Sequence, residues 1–351
     1  MDMRVLVTGA SGNVGTAVVR ALTADPAVDE VIGVVRRPPD GVDDALGVTW
    51  VAADVADDDL GPSLREVDVL VHLAWLFQPS HRPQVTWRAN AVGSAAVFAA
   101  AEDAGVGTVV YASSVGAYSP GPGRIVDETW PTHSLPTAAY GREKAYVERL
   151  LDAFEGRNPL TRVVRLRPSF VFQRSAATEQ RRLFAGPFVP RRLLRRGILP
   201  VLPLPPGLRF QALHADDMAE AYRLAVVGEA SGAFNIAADP VIDAAALADV
   251  LGTRAIEVPR PLMRAALAGA WRAHLAPTEP ALLDLVLALP LLDTTRARDE
   301  LGWSPRFSAI DALRESVTGM AEGDGGGTAP LAPDSLAGRV GEVVRGVGER
   351  P

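Results

Sequence analysis

A chain of 351 residues, 48% hydrophobic and 22% charged, has the make-up of an ordinary globular protein with room for two domains or one large one. Its formal net charge of −7 speaks against nucleic acid or an anionic membrane as the main partner. With no cysteine, disulfides, thiolate metal sites and cysteine nucleophiles are excluded, and no metal site is expected.

The start MDMRVLVTGA lacks a basic stretch followed by an apolar one, so no signal peptide is read there. The apolar stretch LLDLVLALPLL (282–292) is broken by Asp284 and Pro290 and is too short to span a bilayer. A cytoplasmic protein with no membrane partner is expected.

Short β-branched runs alternate with alanine-rich stretches over the first 170 residues. Strands are predicted at 4–9, 30–35, 48–54, 67–74, 108–114 and 161–172, several of them continuously apolar. Helices are predicted between them at 16–24, 90–105 and 139–154. Such alternation predicts an α/β fold with a doubly wound parallel Rossmann-type sheet. Residues 1–172 form its nucleotide-binding domain, with elements from 210–238 added to the core. Residues 173–209 are rich in Arg, Pro and Leu, and helical patterns return at 216–228, 243–252 and 262–288 around a strand at 233–238. Residues 173–320 are read as a smaller C-terminal substrate domain. From EGDGGGTAP onward, 321–351 reads as a flexible tail containing an amphipathic helix near 335–346.

The first strand runs into TGASGNVG (8–15), and a helix follows. Gly9, Gly12 and Gly15 allow a tight turn, close approach to a pyrophosphate and close helix–strand packing. Free N–H groups and the positive helix end then hold the phosphates, which makes Ser11, Asn13 and Val14 further contacts. An NAD-selective site usually carries an acid about twenty positions later, but Val35 stands there, followed by Arg36 and Arg37. Two guanidinium groups suit a 2′-phosphate, so NADP is preferred, with NAD as the alternative. Asp54 and Val55, closing the third strand, are candidate adenine contacts.

Arginine outnumbers lysine 34 to 1, and the single lysine is Lys144 in AAYGREKAY (138–146). Tyr140 and Lys144 are spaced i, i+4 and share a helix face. A tyrosine of pKa near 10 needs a downward shift of about 3 units, roughly 4 kcal/mol, to act near neutrality. An ammonium about 4 Å away supplies about that at an effective dielectric near 20. A planar guanidinium does not replace it in so tight a place.

Taken together, TGASGNVG (8–15), HLA (72–74), NAVGS (90–94), YASSVGAY (111–118), YGREK (140–144), LRPSFVF (166–172), HADDMAEA (214–221) and DTTRARDELGWSP (293–305) resemble, in order, the extended short-chain dehydrogenase/reductase family, which contains sugar-nucleotide epimerases and dehydratases. The resemblance implies Tyr140 as general acid–base, Lys144 as its electrostatic partner and Ser114, rather than Ser113, as the hydroxyl that orients the reacting C–O group. It places Leu73, Ala74, Asn90 and Lys144 along the cofactor channel, with Pro168 and Ser169 near the nicotinamide amide. It gives His214 and Asp217 a bracing role and offers Arg209 as a contact to a substrate diphosphate. It also implies a homodimer through the helix carrying Tyr140 and its neighbour.

Two departures bear on the reaction. Dehydratases of this family carry an Asp-Glu pair where this chain reads Val115-Gly116, so dehydration is not expected. Residues 173–209, where a sugar and diphosphate would bind, match no family pattern. The first expectation is therefore an NAD(P)-dependent, nucleotide-sugar epimerase-like oxidoreductase acting on a small molecule. The alternatives are an NADPH-dependent carbonyl reductase of a less polar ketone or aldehyde, and a non-catalytic NADP-sensing regulator.

Overall fold

The computed structural model describes residues 3–39, 47–78 and 80–349. β1 (Arg4–Thr8) leads through the glycine turn into α1 (Asn13–Thr23), followed by β2 (Glu30–Val35), β3 (Val48–Ala52) and β4 (Val69–His72). Then come α2 (Gly93–Ala104), β5 (Thr108–Ala112), α3 (Ala139–Arg157), β6 (Arg162–Pro168) and β7 (Phe170–Phe172). β8 (Arg209–His214), α4 (Ala215–Val227), β9 (Gly232–Ile236) and β10 (Ala238–Asp243) complete the core of the fold.

Among the described residues seven strands form one parallel sheet in the order β9-β6-β5-β4-β1-β2-β3. The order reverses direction between β1 and β4, which opens a crevice at their carboxyl ends. Val5 and Val7 face a layer shared with Val18 and Leu22 of α1 and Met218 and Tyr222 of α4. Leu6 faces the opposite layer, with Phe98 of α2 and Leu151 and Phe154 of α3. A strand covered on both faces has no solvated side, which is why these strands read as unbroken apolar runs.

The predicted strand over 161–172 divides in two. Pro168, which has no N–H to donate, ends β6, and the chain continues as β7 in a three-stranded sheet with β8 and β10. After α5 (Ala244–Leu251), the predicted helix over 262–288 is two helices, α6 (Arg260–Arg272) and α7 (Pro280–Ala288). His274, at φ 55°, and Pro277 lie in the break.

The expectation of a flexible tail differs most from the structure. After α8 (Ala309–Glu322) the chain packs along residues 174–191 and forms α9 (Leu336–Arg345), with its last two residues outside the described ones. Leu331 and Val347 are buried, and the buried Arg181 pairs with Glu342 of α9. A buried guanidinium stripped of its counter-charge is strongly destabilising, so body and tail complete one another. The glycines that suggest a linker serve close packing: a Cβ on Gly325 would lie 2.3 Å from the Leu331 carbonyl oxygen. Among the described residues no helix is long and apolar enough to cross a membrane.

Candidate active site

The carboxyl ends of β1, β2, β3 and β4 are neighbours, so the residues expected at the cofactor lie along one edge. Gly9 has φ 71°, and a Cβ there would come within 2.8 Å of the Ala74 backbone. A Cβ on Gly15 would lie 2.2 Å from the Gly9 carbonyl oxygen. Gly12 is different: the nearest atom to its added Cβ is the Gly9 oxygen at 3.4 Å, an ordinary contact. Packing within the chain does not demand glycine there, whereas a ligand approaching the backbone would. Gly12 caps α1 with no side-chain hydrogen bond, which leaves N–H groups of the first turn for an anion.

Around this turn, Ser11 is buried and Val14 packs on the core. Asn13 donates to the Val171 carbonyl at 3.1 Å, tying the turn to β7. Arg36 and Arg37 are exposed directly after β2. Asp54 accepts from Ala56 N at 3.1 Å, and the Val55 carbonyl abuts Gly93. Leu73 N donates to the Thr8 carbonyl at 3.2 Å.

A buried hydrogen-bond chain fixes this edge. Ala74 N donates to Thr8 Oγ1, which lies 2.7 Å from His72 Nδ1. His72 Nε2 lies 2.9 Å from Ser94 Oγ, whose hydroxyl donates to the Asn90 carbonyl. That direction makes Nε2 the protonated nitrogen of a neutral imidazole. Burial, aided by the Lys144 charge, pushes the His72 pKa down to about 3. Asn90 sits in a π-helical turn, Arg88–Val92, a form often found at functional sites. Its amide both accepts from and donates to the Leu76 backbone, at 2.7 and 2.8 Å, and also reaches Glu143. Asn90 therefore shapes the loop after β4.

Ser114, Tyr140 and Lys144 come together at the end of β5. Ser114 Oγ accepts from Gly116 N at 2.9 Å and hydrogen-bonds Tyr140. Ser113 is engaged elsewhere, donating to Glu148, which is held by Arg167 at 2.9 Å. Lys144 Nζ donates to the Ala112 carbonyl at 2.6 Å. Burial drives the Lys144 pKa well below its usual value, with Glu143 and Glu148 opposing. The expected downward pull on Tyr140 does not appear. Burial raises its phenol to about 12, and the Ser114 hydrogen bond only partly offsets this. The reason is local, since the ammonium is directed at Ala112 and Trp75.

Pro168 pairs with Ile236 in the ladder, and the Ser169 hydroxyl is buried with no partner among the described residues. His214 caps α4 by accepting from Asp216 N, while Asp217 accepts from Arg306 N and Phe307 N. Both tie the sheet to the C-terminal elements. Arg209 is exposed at the start of β8.

Sequence reasoning missed the aromatic clamp on Tyr140. The Phe77 ring stacks on it at 4.9 Å between centroids, and Trp75 meets it edge-on at 5.9 Å. A pocket beside Tyr140 is lined by these two rings with Leu183, Phe184, Pro277 and Leu282, and by Glu143 and Glu279. Burial raises the pKa of both carboxyls. The apolar run LAWLF after β4, where a polar loop is usual, was the available signal.

The profile of the NAD dependent epimerase/dehydratase family matches residues 5–237. Two uncharacterized proteins of Mycobacterium tuberculosis are similar over most of this chain. One is 25% identical over 315 residues, covering 89% of this chain but 29% of the relative's length. The other is 28% identical over 334 residues, covering 90% and 83%. A 4-hydroxy-2-methyl-3-oxo-4-farnesyl-3,4-dihydroquinoline-1-oxide ketoreductase of Stigmatella aurantiaca is 28% identical over 171 residues, 48% of this chain and 51% of that one. Among solved structures, a UDP-N-acetylglucosamine 4-epimerase from Methanobrevibacter ruminantium has a TM-score of 0.68 at 20% identity, covering 92% of this chain and 99% of that one. This last likeness is one of fold.

Proposed function

We propose that this chain, which belongs to the NAD dependent epimerase/dehydratase family, catalyses hydride transfer at a substrate C–O carbon with Tyr140 carrying the proton. The observation that carries this reading is the meeting of Ser114, Tyr140 and Lys144 at the sheet edge that also holds the glycine turn. A bound nicotinamide would supply the carbon that gives or takes the hydride.

The residues present fit such a dinucleotide. The open side of Gly12 and the uncapped start of α1 suit a pyrophosphate, and the orphaned Ser169 hydroxyl suits a polar ring substituent. Arg36 and Arg37 suit a 2′-phosphate, so NADP is the preferred cofactor and NAD the alternative. Ser114 holds the substrate oxygen. Tyr140, raised to about 12, rests as the neutral phenol, set to donate the proton that reduction of a carbonyl needs. An epimerase begins instead by taking the substrate hydroxyl proton and would need the phenolate. To stabilise the phenolate left behind, Lys144 would turn to it from the Ala112 carbonyl that it holds at rest. Gly116 leaves no space for a carboxylate beside Tyr140, which supports excluding dehydration. The exposed Val92 and Tyr146 fit the homodimer face, which light scattering on the purified protein tests.

In the first version the substrate is a nucleotide sugar and the hydride returns to it, as in an epimerase. A second version, one-way reduction of a less polar ketone, is favoured by the pocket. Its lining is largely apolar, and among the described residues it contains no lysine or arginine for a diphosphate. The partial likeness to a ketoreductase supports the same version. Denaturing the purified protein and identifying the nicotinamide released separates the two. Tightly held NAD near one per chain favours the epimerase, and an empty protein that binds NADPH reversibly favours the reductase. Full turnover by Tyr140→Phe on an identified substrate would refute both.

A further inference from the structure

The chain after Glu322 touches both the phosphate turn and the rim of the Tyr140 pocket. Thr328, buried, donates its hydroxyl to the Ser11 carbonyl at 2.7 Å. On either side the segment is tied to the substrate lobe. Thr178 donates twice to the Asp324 carbonyl, from Oγ1 at 2.6 Å and from N at 3.2 Å. Arg174 pairs with Asp324 at 2.5 Å, and Arg181 pairs with Glu342 at 2.5 Å. At the far end the Gly348 carbonyl accepts from Ser80 N at 2.9 Å, and Ser80 lines the pocket.

We propose that residues 323–334 are a strap, anchored by α9, that holds the bound dinucleotide in place, with Thr328 as a positioning residue for the phosphate turn. This rests on the reading that the turn holds a dinucleotide. The turn's own backbone bonds, Gly12 N to Gly9 O at 3.1 Å and Gly9 N to Val34 O at 3.0 Å, fix its inner side. Ser11 lies on its outer side, where the strap supplies the bond. Pinning Ser11 keeps Gly12 and the first turn of α1 aimed at one place, so phosphate binding does not have to order them. Between its anchors at Asp324 and α9, which stay docked on the body, this stretch is held mainly by polar contacts, so it is able to lift without stripping Arg181 of Glu342 or unfolding the sheet. Release of the dinucleotide is therefore coupled to lifting of the strap, and by linkage the dinucleotide must steady the strap in return.

The test uses the full-length protein with NADPH and NADH as probes. Stopped-flow fluorescence measures release from wild type, Thr328→Val and Thr328→Ser, and amide hydrogen exchange follows residues 323–334 with and without saturating dinucleotide. Thr328→Val should release the dinucleotide roughly 3- to 10-fold faster, the range of one neutral hydrogen bond, and serine should restore the wild-type rate. Exchange in the strap should slow when dinucleotide is bound. Release from the valine variant at the wild-type rate overturns the strap, even if its thermal midpoint falls. Should the valine variant fail to fold, exchange on the wild type decides, and unchanged exchange overturns the proposal. Wild type that binds neither dinucleotide overturns the proposed function and the strap with it, whereas normal binding with unaltered release overturns the strap alone.

Discussion

The Nζ of Lys144 stands 3.4 Å from the centroid of the Trp75 ring while donating to the Ala112 carbonyl. The only lysine of an arginine-rich chain is thus seated on an aromatic face in a dry corner, and a desolvated contact of this kind is worth about 2 kcal/mol. A guanidinium is larger and planar and cannot take both contacts.

Lys144→Arg should therefore lose at least about 100-fold in kcat with the fold intact, checked by NADPH oxidation and circular dichroism. Trp75→Leu removes a contact that favours the charged ammonium, so the Lys144 pKa should fall further. Its activity should be lost at a lower pH than in wild type, read from the alkaline limb of the pH–rate profile.

A Cβ at Gly116 would lie 2.8 Å from Tyr140 Cε1 and 3.3 Å from Ser114 Oγ. Gly116→Ala should displace the ring, costing about 1–3 kcal/mol of stability and at least about tenfold in kcat. Denaturant unfolding and turnover measure the two effects separately.

His72 is held neutral, with a folded pKa of about 3 against an ordinary value near 6.5. As pH falls from about 6.5 to about 3, the unfolded chain takes the proton first and stability falls. The full difference is on the order of 5 kcal/mol. Above about 6.5 this group has no effect on the pH dependence. His72→Asn should flatten the stability–pH curve within that window, followed by urea unfolding across a pH series.

Removing Arg36 and Arg37 together should weaken NADPH about 10- to 100-fold and leave NADH nearly unchanged, if they hold a 2′-phosphate. Fluorescence titration with the two reduced cofactors gives the ratio. Equal weakening of both would count against the NADP reading.

Glu342→Ala leaves the buried Arg181 with Asp334 at 3.6 Å and the Gly186 carbonyl. Such a loss should destabilise by about 3 kcal/mol in one cooperative transition, showing that α9 unfolds with the body. Two separate transitions would make it an independent appendage.

The sequence determined the parallel sheet, because strands buried on both faces must be apolar throughout and helices must alternate with them. It also determined the glycine turn and the Tyr140–Lys144 pair, whose spacings are local and need only one turn or one helix face to be read. The ordered position of residues 323–349 lay beyond it. Thr328 meets Ser11 across 317 positions, and a run of glycines reads as a linker until the close contacts that require them are seen. The raised pKa of Tyr140 and the seat of Lys144 were equally out of reach. Spacing places two side chains on one face, but burial and the Trp75 ring, brought there by the tertiary fold, decide which neighbour each charge finds.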